Sequence, residues 1–235
     1  LKRLCEENEQ SLDKKWEKPV RLSIMTSAKH RYFIINKPPN MVSQFISPDA
    51  VGLLGDLNYD FPEGIHAIGR LDSHSEGLLI LTTNKKVTRL LFQGEVPHKR
   101  TYVVHVKHVI TQEKLDLLRT GIPILIKGNV EYITTPCEVD IVEKPKGWLK
   151  LSKEPEDVPH TWLKISLTEG KYHQIRKMVL AAGHKCKRLI RMSIEDLEIG
   201  DLKPGAVLEL EEEDFFKKLK IENWRQEFTK REGFN

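Results

Sequence analysis

Apolar positions along this chain come in two rhythms. Short runs of aliphatic, aromatic and β-branched residues predict strands over 32–36, 78–83, 102–106, 122–126, 130–133, 137–142, 162–167, 188–194 and 207–210. A pleated strand alternates its faces, and one covered on both sides reads as a continuous apolar run. The first run stops at Lys37-Pro38-Pro39, where proline removes the donor a ladder needs. Three stretches follow the helical period instead. Val87, Leu90 and Leu91 mark 85–93, and Leu115 and Leu118 mark 112–119 with Gly121 beyond its end. Ile175, Met178, Val179 and Ala182 form an i, i+3, i+4, i+7 stripe over 172–182, with Gly183 placed to cap it. Many strands and few helices predict an α+β domain on a mostly antiparallel, mixed sheet flanked by helices and loops. The expected divisions are an arm or peripheral helix over 1–28, one domain over 29–214 and a C-terminal tail over 215–235. A proline-containing loop or insertion is expected over 145–159.

Composition narrows the class. With 235 residues, 39% hydrophobic and 31% charged, the chain can bury a core and is neither collagen-like nor wholly disordered. Apolar runs as short as 78–81 fall far below the roughly 20 residues of a membrane helix, so no membrane is expected as a partner. The opening LKRLCEENEQ is too charged for the apolar stretch of a secretory signal. Three cysteines, at 5, 137 and 186, are odd in number and far apart, which predicts free thiols and a cytoplasmic location. No metal site is expected, because clustered ligands are missing and His105 and His108 fall on opposite faces of a strand.

Charge is distributed unevenly. Between 170 and 192 stand Lys171, Arg176, Lys177, Lys185, Lys187, Arg188 and Arg191 with no acid among them. Over 85–108, six lysines and arginines face Glu95 alone, whereas from 193 to 214 nine acids outnumber Lys203. Such segregation suits a face that carries a polyanion, since each neutralised phosphate releases a counterion. The alternative is a set of solvated helix and strand faces.

The chemistry concentrates in one stretch. The chain lacks G-x-G-x-x-G, G-x-S-x-G and H-E-x-x-H, and 64–71 has Arg70 and Leu71 where a phosphate loop needs Lys and Ser or Thr. What stands out is GRLDSHSEGLLIL over 69–81, a carboxylate on a loop ahead of an apolar strand. An acid among basic segments repels phosphate, so Asp72 is either a nucleophile or the cap of a short turn.

GRLDSHSEGLL resembles the catalytic motif of the pseudouridine synthases, and the resemblance implies that fold, with a central active-site cleft and Asp72 as the essential carboxylate. Arg100-Thr101-Tyr102 resembles a second motif, in which Tyr102 would stack on the target base and assist proton removal; the family usually has Lys where Arg100 stands. LTEGKYHQIRKM over 167–178 resembles the third, in which Arg176 would pair with Asp72 and favour its ionised form. RLIRMSIEDLEIGDLKPG over 188–205 is similar to the closing segment of the small-subunit-type branch, and 35–45 and 148–165 point toward members acting on large-subunit ribosomal RNA.

The implied activity is isomerisation of a specific uridine in ribosomal RNA, by a catalytic domain spanning 29–214, with no cofactor, metal or nucleotide, in a monomer. Arg70, Arg100, Lys171, Gln174, Lys177, Arg188 and Arg191 are the expected RNA contacts. Arg70 could fill the gap a flipped base leaves or hold a phosphate, and Gln174 could touch substrate or cap its helix. His74, two residues from Asp72, has no role in the motif. Two rivals stay open: a non-catalytic RNA-binding or ribosome-assembly protein on the same fold, and a hydrolase using Asp72 with His74.

Overall fold

The computed structural model describes residues 30–92, 96–145 and 158–229; the expected arm, 1–28, and most of the loop 145–159 lie outside them. In chain order the elements are β1 (Tyr32–Lys37), β2 (His66–Ile68), β3 (Glu76–Thr82), α1 (Val87–Phe92), β4 (Arg100–Lys107), α2 (Gln112–Thr120), β5 (Pro123–Leu125) and β6 (Glu131–Ile133). They continue with β7 (Glu138–Val142), β8 (His160–Leu167), α3 (Gln174–Ala181), β9 (Cys186–Ile194), β10 (Leu197–Glu198), β11 (Val207–Leu210), α4 (Glu212–Lys218) and α5 (Trp224–Thr229).

One sheet organises the molecule, with strand order β11-β1-β3-β9-β4-β8-β7, β2 added to β3 and β10 added to β9; β5 and β6 pair separately. The β3–β9 pairing is parallel and the other strand pairings are antiparallel, as the α+β expectation required. β3 gives one edge to β1 along its length. Its other edge is therefore shared, with β9 at Glu76 and Gly77 and β2 from Ile80 to Thr82. Only two residue pairs join β3 to β9, so the sheet parts there and a cleft opens. Gly77, at φ +101, is needed at that joint, because a Cβ would lie 2.2 Å from the Arg191 carbonyl oxygen.

β1 and β3 are buried at every position because both of their faces are covered. Tyr32, Ile34, Leu78 and Ile80 pack with Val87, Leu91, Phe215 and Phe216 on one side; Phe33, Ile35, Leu79 and Leu81 meet Met41, Leu54 and Leu57 on the other. That is why these strands read as unbroken apolar runs. Across the joint, Val104, Val106, Leu163 and Ile165 form a second core with Leu115 and Leu118 of α2 and Met178 and Val179 of α3. The helical stripes at 112–119 and 172–182 are what bury these two helices.

Two expectations are corrected. The 214/215 boundary falls inside α4, whose Phe215 and Phe216 are fully buried against Tyr32, with Leu219 and Trp224 beside them, so this segment is core and not tail. Truncating either Phe to Ala would cost about 3–5 kcal/mol. α3 begins at Gln174 and not at Tyr172, because His173 sits at φ 55, ψ 28, a left-handed conformation that cannot continue a right-handed helix. The short β2 and β10, too brief to show a period, were not expected.

Candidate active site

Asp72 stands in the turn between β2 and β3, at the parting of the sheet. The turn is closed by the Ser75 N–H donating to the Asp72 carbonyl at 2.9 Å. It is also clamped from beneath. The Ser43 hydroxyl accepts from the Leu71 N–H at 2.9 Å and donates to the Leu71 carbonyl at 3.0 Å. Lys37, the last residue of β1, is fully buried and donates to the carbonyls of Met41 at 2.6 Å, Pro38 at 3.0 Å and Ser73 at 3.3 Å. Burial pushes its ammonium down to about 8, against the pull of Glu76 and Asp72. The carboxylate is thus presented by a backbone held on both sides.

The Asp72 side chain is bracketed by groups from the turn into α3 and from α3 itself. Arg176 Nε lies 3.6 Å from Oδ2, and His173 Nε2 lies 3.3 Å from Oδ1. Ser75 ties the pair together, donating toward Asp72 Oδ2 at 3.4 Å while accepting from Arg176 Nη2 at 3.1 Å. Arg176 is steadied by the Cys186 sulfur, 3.6 Å from Nη1; burial pushes that thiol up to about 11, so it stays neutral. A guanidinium beside one oxygen and a ring nitrogen beside the other orient the carboxylate.

Around it opens a cleft of about 580 Å³ lined by Arg70, Asp72, Arg100, Tyr102, Glu169, Lys171, His173 and Arg191 among others. Tyr102 reaches it from β4, directly across the ladder from Arg191 of β9. Burial lowers the Arg191 guanidinium, partly offset by the Tyr102 hydroxyl beside it. Glu169 is the second carboxylate of the wall. Burial raises it, but hydrogen bonds from the Tyr132 hydroxyl, the Thr135 N–H and the Gln174 amide outweigh this and leave it below its ordinary value. With those donors satisfied internally, it opposes an incoming anion less than its charge suggests.

Of the expected site residues, Asp72 and Tyr102 line one cleft, and Arg176 reaches Asp72 from α3 at 3.6 Å. Arg70 is exposed at the cleft's rim. Arg100 lines the wall and donates to the Thr168 carbonyl at 2.7 Å. Lys171 is exposed, its ammonium 4.6 Å from the Tyr132 ring centre, and Lys177 lies partly exposed on α3. Three of the expected RNA contacts are buried and bonded within the protein. Arg188 is buried and grips the buried Glu76 with two bonds of 2.6 and 2.7 Å. Arg191 is 4% exposed and donates to the Leu78 carbonyl at 2.7 Å. Both point into a sheet from β9, which has β3 and β4 on its two sides. Gln174 is 5% exposed, accepting from the Lys171 N–H and donating to Glu169, so it fixes the start of α3. His74 turns outward to Asn40 at 3.1 Å and away from Asp72's partners.

His173, Ser75, Ser43 and Lys37 were not singled out from sequence. Lys37 alone left a signal, a lysine ending a strand that is apolar from Tyr32 to Ile35.

The profile of the RNA pseudouridylate synthase family matches residues 31–181, which takes in Asp72, Tyr102 and Arg176, and the chain belongs to that family. It is 32% identical over 186 residues to the ribosomal large subunit pseudouridine synthase E of Vibrio parahaemolyticus, covering 77% of this chain and 74% of that one. It is 26% identical to the ribosomal small subunit pseudouridine synthase A of Yersinia pestis, over 78% of this chain and 71% of that one. The crystal structure of a pseudouridylate synthase superposes with a TM-score of 0.65 at 24% identity, covering 81% of this chain and 74% of that one, and the fold is theirs. No helix among the described residues is long and apolar enough to cross a membrane.

Proposed function

We propose that this protein isomerises one uridine of large-subunit ribosomal RNA to pseudouridine, acting as a cytoplasmic monomer without a cofactor. The observation that carries the assignment of roles is the bracketing of Asp72 by Arg176 and His173 in a cleft that Tyr102 also enters. The large-subunit target draws its support from the likeness to the Vibrio synthase E.

The reaction breaks the bond from N1 to the ribose C1′, makes one from C5 to C1′, moves the C5 proton away and leaves a proton on N1. Atoms and electrons balance within the substrate. Asp72 is the nucleophile that holds the intermediate while the base turns over, and Arg176 keeps it aimed. Tyr102 stacks on the base and accepts the C5 proton, with Arg191 holding its hydroxyl side. The uridine must leave its stack to reach the cleft, at a cost of a few kcal/mol that stacking on Tyr102 offsets. Arg70, Arg100, Lys171 and Lys177 meet the phosphates around it.

Tritium release from RNA labelled at C5 of uridine tests this, with ribosomal RNA of both subunits and transfer RNA as substrates. Wild type should release tritium from large-subunit RNA, and Asp72→Asn should abolish release while retaining RNA affinity. Substantial turnover by Asp72→Asn would refute the assigned nucleophile. Tight binding with no release from any of these RNAs would favour the binding-protein reading.

A further inference from the structure

Beside the catalytic groups, at the turn that precedes α3, Tyr172 is 70% exposed. Its ring is not loose. It stacks on His173 with centroids 3.8 Å apart and planes 19° apart, and His173 Nε2 reaches Asp72 Oδ1 at 3.3 Å. The left-handed conformation of His173, φ 55, turns the chain out of the helix at this point and sets Tyr172 at the rim, next to cleft-lining Lys171 and His173. One ring face lies against His173 and the Lys177 ammonium stands over the ring, yet 70% of the residue is left exposed to an arriving base. Lysines stand close by: Lys171 is adjacent in the chain and exposed, and Lys177 Nζ lies 5.4 Å from the ring centre. The nearest acid in the chain, Glu169, is occupied by Tyr132, Thr135 and Gln174.

We propose that Tyr172 is a second base-stacking site, a platform for an RNA base neighbouring the isomerised uridine in the strand; this rests on the uridine-isomerase reading above. Withdrawing one nucleotide into the cleft leaves its neighbours without a stacking partner. A rigid aromatic face flanked by ammonium groups is what single-stranded nucleic acid uses, the face for the base and the cations for the phosphates. The platform accepts any base by its π-face and therefore reads the strand's path more than its letters. A flat protein partner is the competing occupant, and it would need apolar area and not a π-face.

Two measurements test it with Tyr172→Ala, Tyr172→Leu and Tyr172→Phe. In tritium release from transcribed large-subunit ribosomal RNA, Ala and Leu should raise KM by about 5- to 150-fold, the range of one lost base stack, with the loss falling on KM and not on kcat, and Phe should recover most of it. Leu matching Phe would overturn the proposal in favour of a merely apolar contact. Ala behaving as wild type, or lowering kcat alone, would overturn it too. Fluorescence quenching of a 2-aminopurine-substituted, uridine-rich RNA oligonucleotide on Asp72→Asn protein reads stacking without turnover. Quenching lost in Ala and Leu but kept in Phe supports the platform even if wild type released no tritium, an outcome that would sink only the isomerase reading.

Discussion

Lys171, Arg176 and Lys177 and, a few residues on, Arg188 and Arg191 belong to one basic run uninterrupted by acid, yet the fold puts its two halves to opposite uses. The first half lies on the turn into α3 and on its outer side, where the lysines stay in solvent and Arg176 faces Asp72. The second lies on β9, which is paired with β3 on one edge and β4 on the other. There Arg188 is held by Glu76 and Arg191 by the Leu78 carbonyl. A guanidinium in such a place loses its water and must be matched inside the protein. Buried there, it adds nothing to the solvated charge of the surface. The comparison teaches that a basic stretch measures electrostatic footprint only after the buried charges are subtracted, and here the subtraction removes two of seven.

The largest expected effect breaks the strand half. Arg188→Ala should destabilise the fold by about 3–5 kcal/mol in urea unfolding, because it leaves Glu76 charged and buried; the double change Arg188→Met with Glu76→Leu should recover most of that. A loss confined to RNA affinity would show instead that Arg188 belongs with the helix half. Next comes the residue that joins the halves to the chemistry. Arg176→Gln should lower kcat by about 10²- to 10³-fold, as loss of one preorganised electrostatic partner does, with a melting temperature close to wild type.

A third buried cation offers the same contrast through pH. Lys37 has a folded pKa of about 8 against 10.5 unfolded, so the unfolded chain holds more protons between these values and stability should rise with pH across that window. The whole contribution is on the order of 3 kcal/mol, and Lys37→Met should flatten it in a pH series of urea midpoints. The smallest effect belongs to the exposed half. Lys177→Ala should reduce the slope of log affinity against log salt by about 1 and leave stability within about 0.5 kcal/mol of wild type; a salt slope equal to wild type would remove Lys177 from the RNA path.

Much of this was legible beforehand because periodicity is local. The stripe Ile175, Met178, Val179 and Ala182 names its own buried face, and all four belong to one core. The proposed catalytic trio was legible through motif resemblance, since each member sits in a contiguous stretch. Others were not, for physical reasons. Ser43 and Lys37 act on the Asp72 turn across 28 and 36 residues of sequence, and a hydroxyl or an amine gives no period. His173 matters because its backbone is left-handed, which no neighbouring residue announces. Phe215 and Phe216 were assigned to a tail because a helix as short as α4 is stabilised by what it packs on, here Tyr32 at the far end of the chain.

By itself the sequence determined the longer strands and helices between 32 and 210, the faces they bury, and which loop carboxylate, tyrosine and arginine are the candidates for a single chemistry. These follow from neighbours along the chain. The tertiary structure decided which of the seven charges from 171 to 191 reach solvent, which side chains hold Asp72, and where the chain's last helices belong. Those outcomes depend on strand order and on the parting of β3 from β9, and both are set by contacts between residues far apart in sequence.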